Sequence, residues 1–199
     1  MRTILRRGLR RRRSRGQALV EFAIFFLLLM VLVAGVTDTA GLLNDHVNLE
    51  FAARQGARTG SVLGNQSYAD CAIIGAIQAA LVNMPSLTVT QISIYDANSS
   101  GQPQSASLQD IYAGNTTCTV SGSTVTFSPA ALQIGYPPAN RNNTPFYEDS
   151  IGVQIKYNYQ FEFGLVGGGT FSASDYAVMP VNPVAVASPN PTPTPIATQ

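Results

Sequence analysis

The sequence predicts an α+β protein in which a long N-terminal helix continues into a small domain with a second helix and an antiparallel β-sheet. Three observations predict this class. An uncharged apolar run begins near the N-terminus, helical spacing continues beyond it, and the second half of the chain is rich in β-branched residues that alternate with polar ones. The 199 residues, 45% of them hydrophobic and 12% charged, suit one anchor segment and a single modest domain.

Charge is distributed very unevenly along the chain. Eight of the twelve Lys and Arg residues lie in the first fifteen positions, and the rest of the chain has 4 basic against 11 acidic side chains. Such a basic arm could bind nucleic acid. It directly precedes an apolar run, however, and arginines in that position hold their flank in the cytoplasm. We therefore predict no nucleic-acid partner, a cytoplasmic N-terminus and an extracytoplasmic C-terminal domain.

The apolar run that follows the basic arm is long enough to span a bilayer. From Leu19 to Val36 a helix would extend about 27 Å, close to the thickness of the hydrocarbon core. The run is apolar on every face, whereas a domain this small could hardly surround a helix of that kind. The sequence therefore predicts a single-pass protein of the cell membrane with the lipid bilayer as a partner.

Helical spacing continues beyond the predicted span, and no proline interrupts it before about Gly60. A continuous helix from Val20 to Thr59 would be about 60 Å long, and its second half would serve as the spine of the external domain. The apolar residues that recur at helical intervals in this half are Val36, Leu43, Val47, Phe51 and Ala57.

After a second predicted helix, from Tyr68 to Asn83, the periodicity changes. The proline at position 85 stops that helix. Beyond it, "LTVTQISIYDA" and "TTCTVSGSTVTFS" are rich in β-branched residues and predict strands, the latter a hairpin that turns at residues 121–123.

The segment "SIGVQIKYNYQFEF" alternates apolar and polar residues most regularly, which predicts a strand with one buried and one solvated face. After a predicted turn at Gly167–Gly169, "TFSASDYAVMPV" supplies the last strand. The proline-rich tail, residues 183–199, cannot pack as helix or sheet and is predicted to be extended and exposed.

Residues that could carry catalysis are scarce. His46 is the only histidine, so a zinc site or a hydrolase triad lacks parts, and we expect His46 on the surface of the first helix. The stretch "DANSSG" copies the first half of a calcium loop from Asp96. Ser107 stands where the twelfth-position glutamate is expected, which favours a hairpin turn. The sequence therefore predicts no enzyme, no cofactor and no metal site.

The two cysteines allow two hypotheses. Cys71 falls in the predicted second helix and Cys118 in the predicted hairpin, both on the side where disulfides persist in an oxidising envelope. A bond between them would stabilise the domain by about 4 kcal/mol in the chain-entropy model. It requires Cα atoms within about 7 Å, so the second helix would lie beside the hairpin. The alternative is two separate buried thiols.

The stretch "RGQALVEF" resembles the leader of type IV prepilins, a short basic segment that ends in glycine and is cut by a membrane peptidase. The resemblance implies that a prepilin peptidase cleaves between Gly16 and Gln17, which makes Glu21 the fifth mature residue. Phe22 follows it, as in the Flp/Tad branch of these pilins. It also implies that Glu21 acts in recognition during assembly by pairing with a neighbouring subunit's α-amino group, an ion pair that is stronger at low dielectric.

Two further stretches resemble the TadE-like family of Tad pilus assembly proteins. "NLEFAARQGARTGSV" carries the run that closes the family's helix, with Arg54, Gly56 and Arg58 at the matching positions, and "SASDYAVMPVNP" resembles its last strand. The resemblance implies a pilin-like fold and the role of a minor pseudopilin in a Tad-type pilus or related secretion filament. Its partners would be other pilin or pseudopilin subunits and the Tad inner-membrane platform.

The predicted organisation follows from these patterns, and two alternatives for the N-terminus stay open. We expect a basic leader (1–16), the membrane helix with its extension (17–60), an extracytoplasmic α+β domain (61–182) and the tail (183–199). One alternative is a secretory signal cleaved near residues 33–35. The other is an uncut anchor, which would make the protein a membrane-anchored surface binding or adhesion module.

Overall fold

The computed structural model, which describes residues 5–82, 84, 86–122, 124–164 and 170–182, confirms the predicted α+β class. A long apolar helix, a second helix and antiparallel sheets make up the described chain. The predicted turn at Gly167–Gly169 and the predicted tail at 183–199 lie outside the described residues.

Helix α1 (Leu5–Leu63) is 59 residues long, which corresponds to about 89 Å. It ends at Leu63 rather than near Gly60 because Gly64, with a φ of +53°, is the residue that adopts the left-handed conformation. The Gly64 N–H donates to the Gly60 carbonyl at 2.8 Å. Gly60 itself serves packing, since a Cβ there would lie 3.0 Å from Cδ1 of Ile73.

Helix α2 (Ala69–Leu81) matches the predicted second helix and packs on α1. Its apolar side chains recur at helical spacing, so Ile73, Ile74 and Ile77 are fully buried on one face. These isoleucines belong to the hydrophobic core, together with residues of α1 and the sheet.

The strands form two antiparallel sheets. Strands β1 (Leu87–Asp96), β2 (Gln109–Ala113), β5 (Ser150–Gln160) and β6 (Thr170–Pro180) form one sheet in the order β2-β1-β5-β6. Strands β3 (Thr117–Ser121) and β4 (Thr124–Ser128) form the predicted hairpin. Strand β2 was not predicted, because Ile111 and Tyr112 are its only large apolar residues. Its pairing with β1, from Gln91 opposite Ala113, makes it a strand.

The predicted alternation of β5 is confirmed on the face that packs against the helices, where its odd-numbered residues from Ile151 to Tyr159 are buried. The opposite face is not solvated throughout, which corrects the prediction at one end of the strand. The ring of Tyr95 covers Gly152, where a Cβ would lie 2.1 Å from Cε2 of Tyr95, and the Tyr95 hydroxyl donates to the Gly101 carbonyl at 3.0 Å. Gly152 is therefore required by the close approach of the ring.

The predicted turn in "DANSSG" is confirmed. An antiparallel bridge between Ala97 and Pro103 closes it. The side-chain oxygen of Asn98 accepts from the backbone N–H groups of Ser100 and Gln102 at 2.9 and 3.1 Å. The carboxamide oxygen of Asn98 thus stabilises the turn.

One hydrophobic core joins the helices to the sheet. Its α1 contribution consists of small or medium residues, which lets the helix lie close to the strands. Its fully buried members from the two helices, β1 and the odd-numbered positions of β5 are Leu49, Ala52, Ala53, Ala57, Ile73, Ile74, Ile77, Ile92, Ile94, Ile151, Val153 and Ile155.

Candidate functional site

The N-terminal half of α1 carries a long apolar surface that the described domain does not cover. Its large side chains from Leu19 to Val33 are 46% to 69% exposed. The segment Gly16–Leu63 includes an 18-residue window with a mean hydropathy of 2.8, none of which is buried. By length and composition it is long and apolar enough to cross a membrane, which is consistent with a single-pass membrane protein.

The residues of the predicted cleavage and recognition site lie within two turns of this helix. Gly16, Gln17, Glu21 and Phe22 are helical and exposed. A Cβ on Gly16 would meet no atom within 4 Å, and the Phe22 ring stacks on Phe26 with centroids 5.9 Å apart. The structure brings these residues together along one helix. Cleavage after Gly16 and the assembly role of Glu21 stay predictions.

The apolar surface continues beyond the span as an outer stripe, which we define as Val36, Leu43, Val47 and Phe51. These side chains are 55% to 61% exposed. Ala57, the fifth residue of the same sequence pattern, is instead fully buried. The sequence pattern therefore grouped residues with different environments. Ala57 packs on the domain, whereas the four residues of the outer stripe present bulky apolar groups outward.

The motif Arg54, Gly56 and Arg58 divides between these faces. Gly56 is buried, and a Cβ there would lie 2.9 Å from Cδ1 of Ile77 and 3.4 Å from Cγ1 of Val153. The two arginines are exposed, and Arg54 forms an ion pair with Glu50 one turn earlier. The glycine of the motif is thus explained by close packing of α1 on α2 and β5.

Replacing Gly56 with valine should destabilise the domain by about 1–3 kcal/mol, because the added atoms overpack the contact between α1 and Ile77. Urea unfolding of the detergent-solubilised chain, followed by tyrosine fluorescence, measures the change. Gly75→Ala is the matched control: Gly75 is also helical but has no atom within 4 Å of a Cβ, so alanine should be neutral or stabilising. Equal stability of Gly56→Val and the wild type would contradict the packing role.

Cys71 and Cys118 are joined by a disulfide in the structure. Their Cα atoms are 5.6 Å apart, and the bond ties α2 to strand β3 of the hairpin. The second helix and the hairpin were both predicted from the sequence, but the contact between them depends on the tertiary fold. The oxidation state of the pair in the cell stays a prediction.

His46 lies at the contact between α1 and the sheet. It is half exposed, and its Nδ1 is 3.0 Å from Oδ2 of Asp175 and 3.4 Å from the Tyr157 hydroxyl. Burial raises the pKa of the Asp175 carboxyl, and the nearby His46 lowers it in part. Sequence reasoning placed His46 on the helix surface but did not identify these partners. Within the described residues, no three His, Cys, Asp or Glu side chains are grouped to hold a metal ion.

A buried charged cluster, which we define as Asp70, Asp110 and Arg141, was missed by sequence reasoning. The Arg141 Nη2 donates to Oδ1 of Asp70 and lies 3.7 Å from Oδ2 of Asp110. The Tyr112 hydroxyl donates to Oδ2 of Asp70 at 2.9 Å. Arg141 is the only basic residue between Arg58 and Lys156. This isolated arginine was the only feature of the sequence that could have indicated the cluster.

The cluster links three parts of the chain that are distant in sequence. Asp70 lies in the first turn of α2, Asp110 in β2, and Arg141 directly after the short 3-10 helix Pro138–Asn140. The Arg141 and Asp110 side chains are fully buried and that of Asp70 is 3% exposed. Because one cation faces two carboxyl groups, the cluster carries an excess negative charge when both are ionised.

Comparison with known families found a match to the first part of the chain. Residues 16–58, about a fifth of the sequence, match the family model described as TadE-like protein. The predicted resemblance is confirmed over this segment, which contains the apolar run, the outer stripe and the motif around Gly56. It does not reach residues 173–179, where the resemblance of the last strand stays a prediction. No curated protein and no solved structure matches the chain.

Proposed function

Because residues 16–58 match the TadE-like family model, we propose that this protein is a minor pseudopilin, a structural component in the assembly of a Tad-type pilus or a related secretion filament. A TadE-like segment that contains a candidate membrane helix supports a membrane protein associated with a Tad pilus. The family is known for structural pilus components rather than for catalysis, so we propose no enzymatic activity.

The continuity of the exposed apolar surface carries this proposal. The apolar run that is long enough to span a bilayer and the outer stripe lie on one unbroken helix. The described domain packs on the face of the helix that lies opposite the outer stripe. Lateral contact with the helices of other subunits would bury this stripe, at about 25 cal/mol per Å² of apolar area removed from water. Within the bilayer, packing rather than water exclusion would stabilise the same contact.

The N-terminal residues would supply specificity. We propose that a prepilin peptidase removes residues 1–16, so that Gln17 carries a new α-amino group and Glu21 pairs with that group on a neighbouring subunit. Two opposite charges 4 Å apart attract by about 1 kcal/mol in water and by about 4 kcal/mol at an effective dielectric constant of 20. Residues 17–60 would then anchor the subunit, and residues 61–182 would form its extracytoplasmic domain beside other pilin subunits and the inner-membrane platform.

Substituting Glu21 with alanine should leave membrane insertion intact while lowering co-purification with partner subunits by about tenfold, which corresponds to about 1.4 kcal/mol. Quantitative mass spectrometry of affinity-purified, crosslinked complexes from native membranes measures the change. Glu50→Ala is the matched control, since Glu50 lies on the same helix but pairs with Arg54 within the chain. Co-purification of Glu21→Ala at the wild-type level would refute the assembly role.

The N-terminal residue of the recovered protein provides the companion readout. A chain that starts at Gln17 agrees with the proposed processing. A chain that starts at Met1 would instead favour an uncut anchor that carries a surface binding module, and a start near Val36 would favour a secretory signal.

A further inference from the structure

A cleft of about 280 Å³ lies next to the buried charged cluster, far along the chain from the apolar face of α1. It opens between the start of α2, strand β2, strand β4 and the segment before the 3-10 helix. Most of its wall is apolar or aromatic, yet Asp70 and Asp110 also line it. Its apolar and aromatic lining includes Tyr112, Val125, Phe127 and Ile134.

Asp110 has unused hydrogen-bonding capacity at this cleft. Its Oδ1 accepts from the backbone N–H groups of Gly135 and Tyr136 at 2.7 and 2.8 Å. Its Oδ2 is buried and has no hydrogen-bond partner among the described residues, since Arg141 is 3.7 Å away. A buried acceptor without a partner is costly, so a donor that entered the cleft would be favoured.

The charge of the cluster determines the sign of the ligand. Arg141 neutralises one of the two carboxylates, which leaves an excess of one negative charge when Asp70 and Asp110 are ionised. Burial raises the pKa of Asp110 to about 6, the N–H of Tyr136 lowers it in part, and the nearby Asp70 raises it further. Above that pH the cleft therefore attracts a cation and repels an anion.

The walls determine the kind of cation. A hydrated calcium ion takes six or more oxygen ligands, whereas apolar side chains form most of this cleft. The rings of Tyr112 and Phe127 lie together with centroids 4.8 Å apart. Such rings contact alkyl groups well and attract organic cations through their faces.

We propose that this cleft binds a primary alkylammonium group, with the charged head against Asp70 and Asp110 and the alkyl stem along Tyr112 and Phe127. Because Oδ2 of Asp110 is buried, side chains that line the cleft must move before the ammonium hydrogens can donate to it. The positive charge then balances the second carboxylate. The group belongs either to a lysine side chain of another protein or to a small free amine. This site is separate from the assembly surface proposed above and does not depend on it.

Titration of the detergent-solubilised full chain with n-butylammonium, followed by NMR, tests the site. We expect saturable binding with a Kd on the order of 1 mM at about pH 7.5, and binding of the neutral 1-butanol at least tenfold weaker. Binding of n-butylammonium should weaken as the pH falls through about 6, because the protonated Asp110 no longer carries a charge. Absence of saturable binding, or equal binding of the alcohol, would overturn the proposal.

Two variants locate the binding. Asp110→Asn keeps an acceptor for the N–H groups of Gly135 and Tyr136 but removes the charge, so the affinity should fall at least tenfold. Asp96→Asn is the control, since Asp96 is a buried carboxyl that does not line the cleft, and its affinity should be unchanged. If Asp110→Asn fails to fold, Val125→Trp, which fills the cleft from β4, should abolish binding instead. Wild-type affinity in the folded Asp110→Asn or Val125→Trp variant would overturn the assignment.

The source of the amine is decided by a second probe, Nα-acetyl-lysine methylamide. If it binds at least as tightly as n-butylammonium, the cleft accepts a lysine side chain on a backbone, and a protein partner is the source. If only n-butylammonium binds, the mouth excludes a peptide backbone and a small free amine is the source. If neither binds, the cleft holds water alone and the proposal is wrong.

Discussion

Replacing both Cys71 and Cys118 with serine should lower the free energy of unfolding of the domain by about 4 kcal/mol. The disulfide spans a sequence separation of 47 and ties α2 to the β3–β4 hairpin. In the chain-entropy model, closing a loop of that length restricts the unfolded chain by this amount. Because domains of this size are stable by only about 5–15 kcal/mol, the loss would be a large share of the total. Urea unfolding of the detergent-solubilised full chain measures it.

Reduction of the wild-type protein provides the control for this double substitution. Wild-type protein kept in reductant should unfold at the urea concentration of the double serine variant, since both lack the covalent link. Mass spectrometry of unreduced, alkylated protein should detect no alkyl adducts. Two adducts without prior reduction would show that the bond is absent from the native protein, and the stability difference should then vanish.

Replacing Arg141 with methionine should destabilise the domain by about 3–5 kcal/mol at neutral pH, because the two carboxyl groups that face the arginine would remain buried without their cation. Methionine retains much of the apolar volume of the arginine stem, so the measured loss mainly reports the charge. The comparison uses urea unfolding of the detergent-solubilised full chain, followed by near-UV circular dichroism of the tyrosines.

The pH dependence distinguishes the charge effect from lost packing. Burial already raises the pKa of Asp110 to about 6, and removal of Arg141 should raise it further. Protonation therefore neutralises the unpaired carboxyl as the pH falls, and the stability deficit of Arg141→Met should shrink between about pH 7.5 and pH 4.5. Arg58→Met, at an exposed position of α1, should change stability by less than about 0.5 kcal/mol. A deficit that is the same at both pH values would indicate lost packing.

Local patterns in the sequence were sufficient for most of the secondary structure. The apolar run predicted the long helix because hydropathy and helical periodicity are properties of neighbouring residues. The β3–β4 hairpin and the alternation in β5 were predicted for the same reason. The match of residues 16–58 to the TadE-like family falls on this locally patterned part of the chain. Strand β2 was missed because its polar sequence forms a strand only by pairing with β1.

The face of α1 that packs on the domain was decided by the tertiary structure. Periodicity identified Val36, Leu43, Val47, Phe51 and Ala57 as apolar positions, but it did not separate the buried Ala57 from the four exposed residues. The sheet and α2 lie against the small residues Ala53, Gly56 and Ala57, because small side chains allow the backbones to approach closely. The bulky residues of the outer stripe are therefore left exposed for contact with other subunits in the proposed assembly.

By itself, the sequence determined the candidate membrane helix, the α+β class and the position of the predicted cleavage and recognition residues around Glu21. All of these follow from local hydropathy, charge and motif spacing. Only the tertiary structure decided the charged cluster, because Asp70, Asp110 and Arg141 are brought together from α2, β2 and a loop. No periodic pattern of neighbouring residues in the sequence indicates such a contact. The cluster and its cleft arise from the way the hairpin, the sheet and α2 pack, which also places Cys71 beside Cys118.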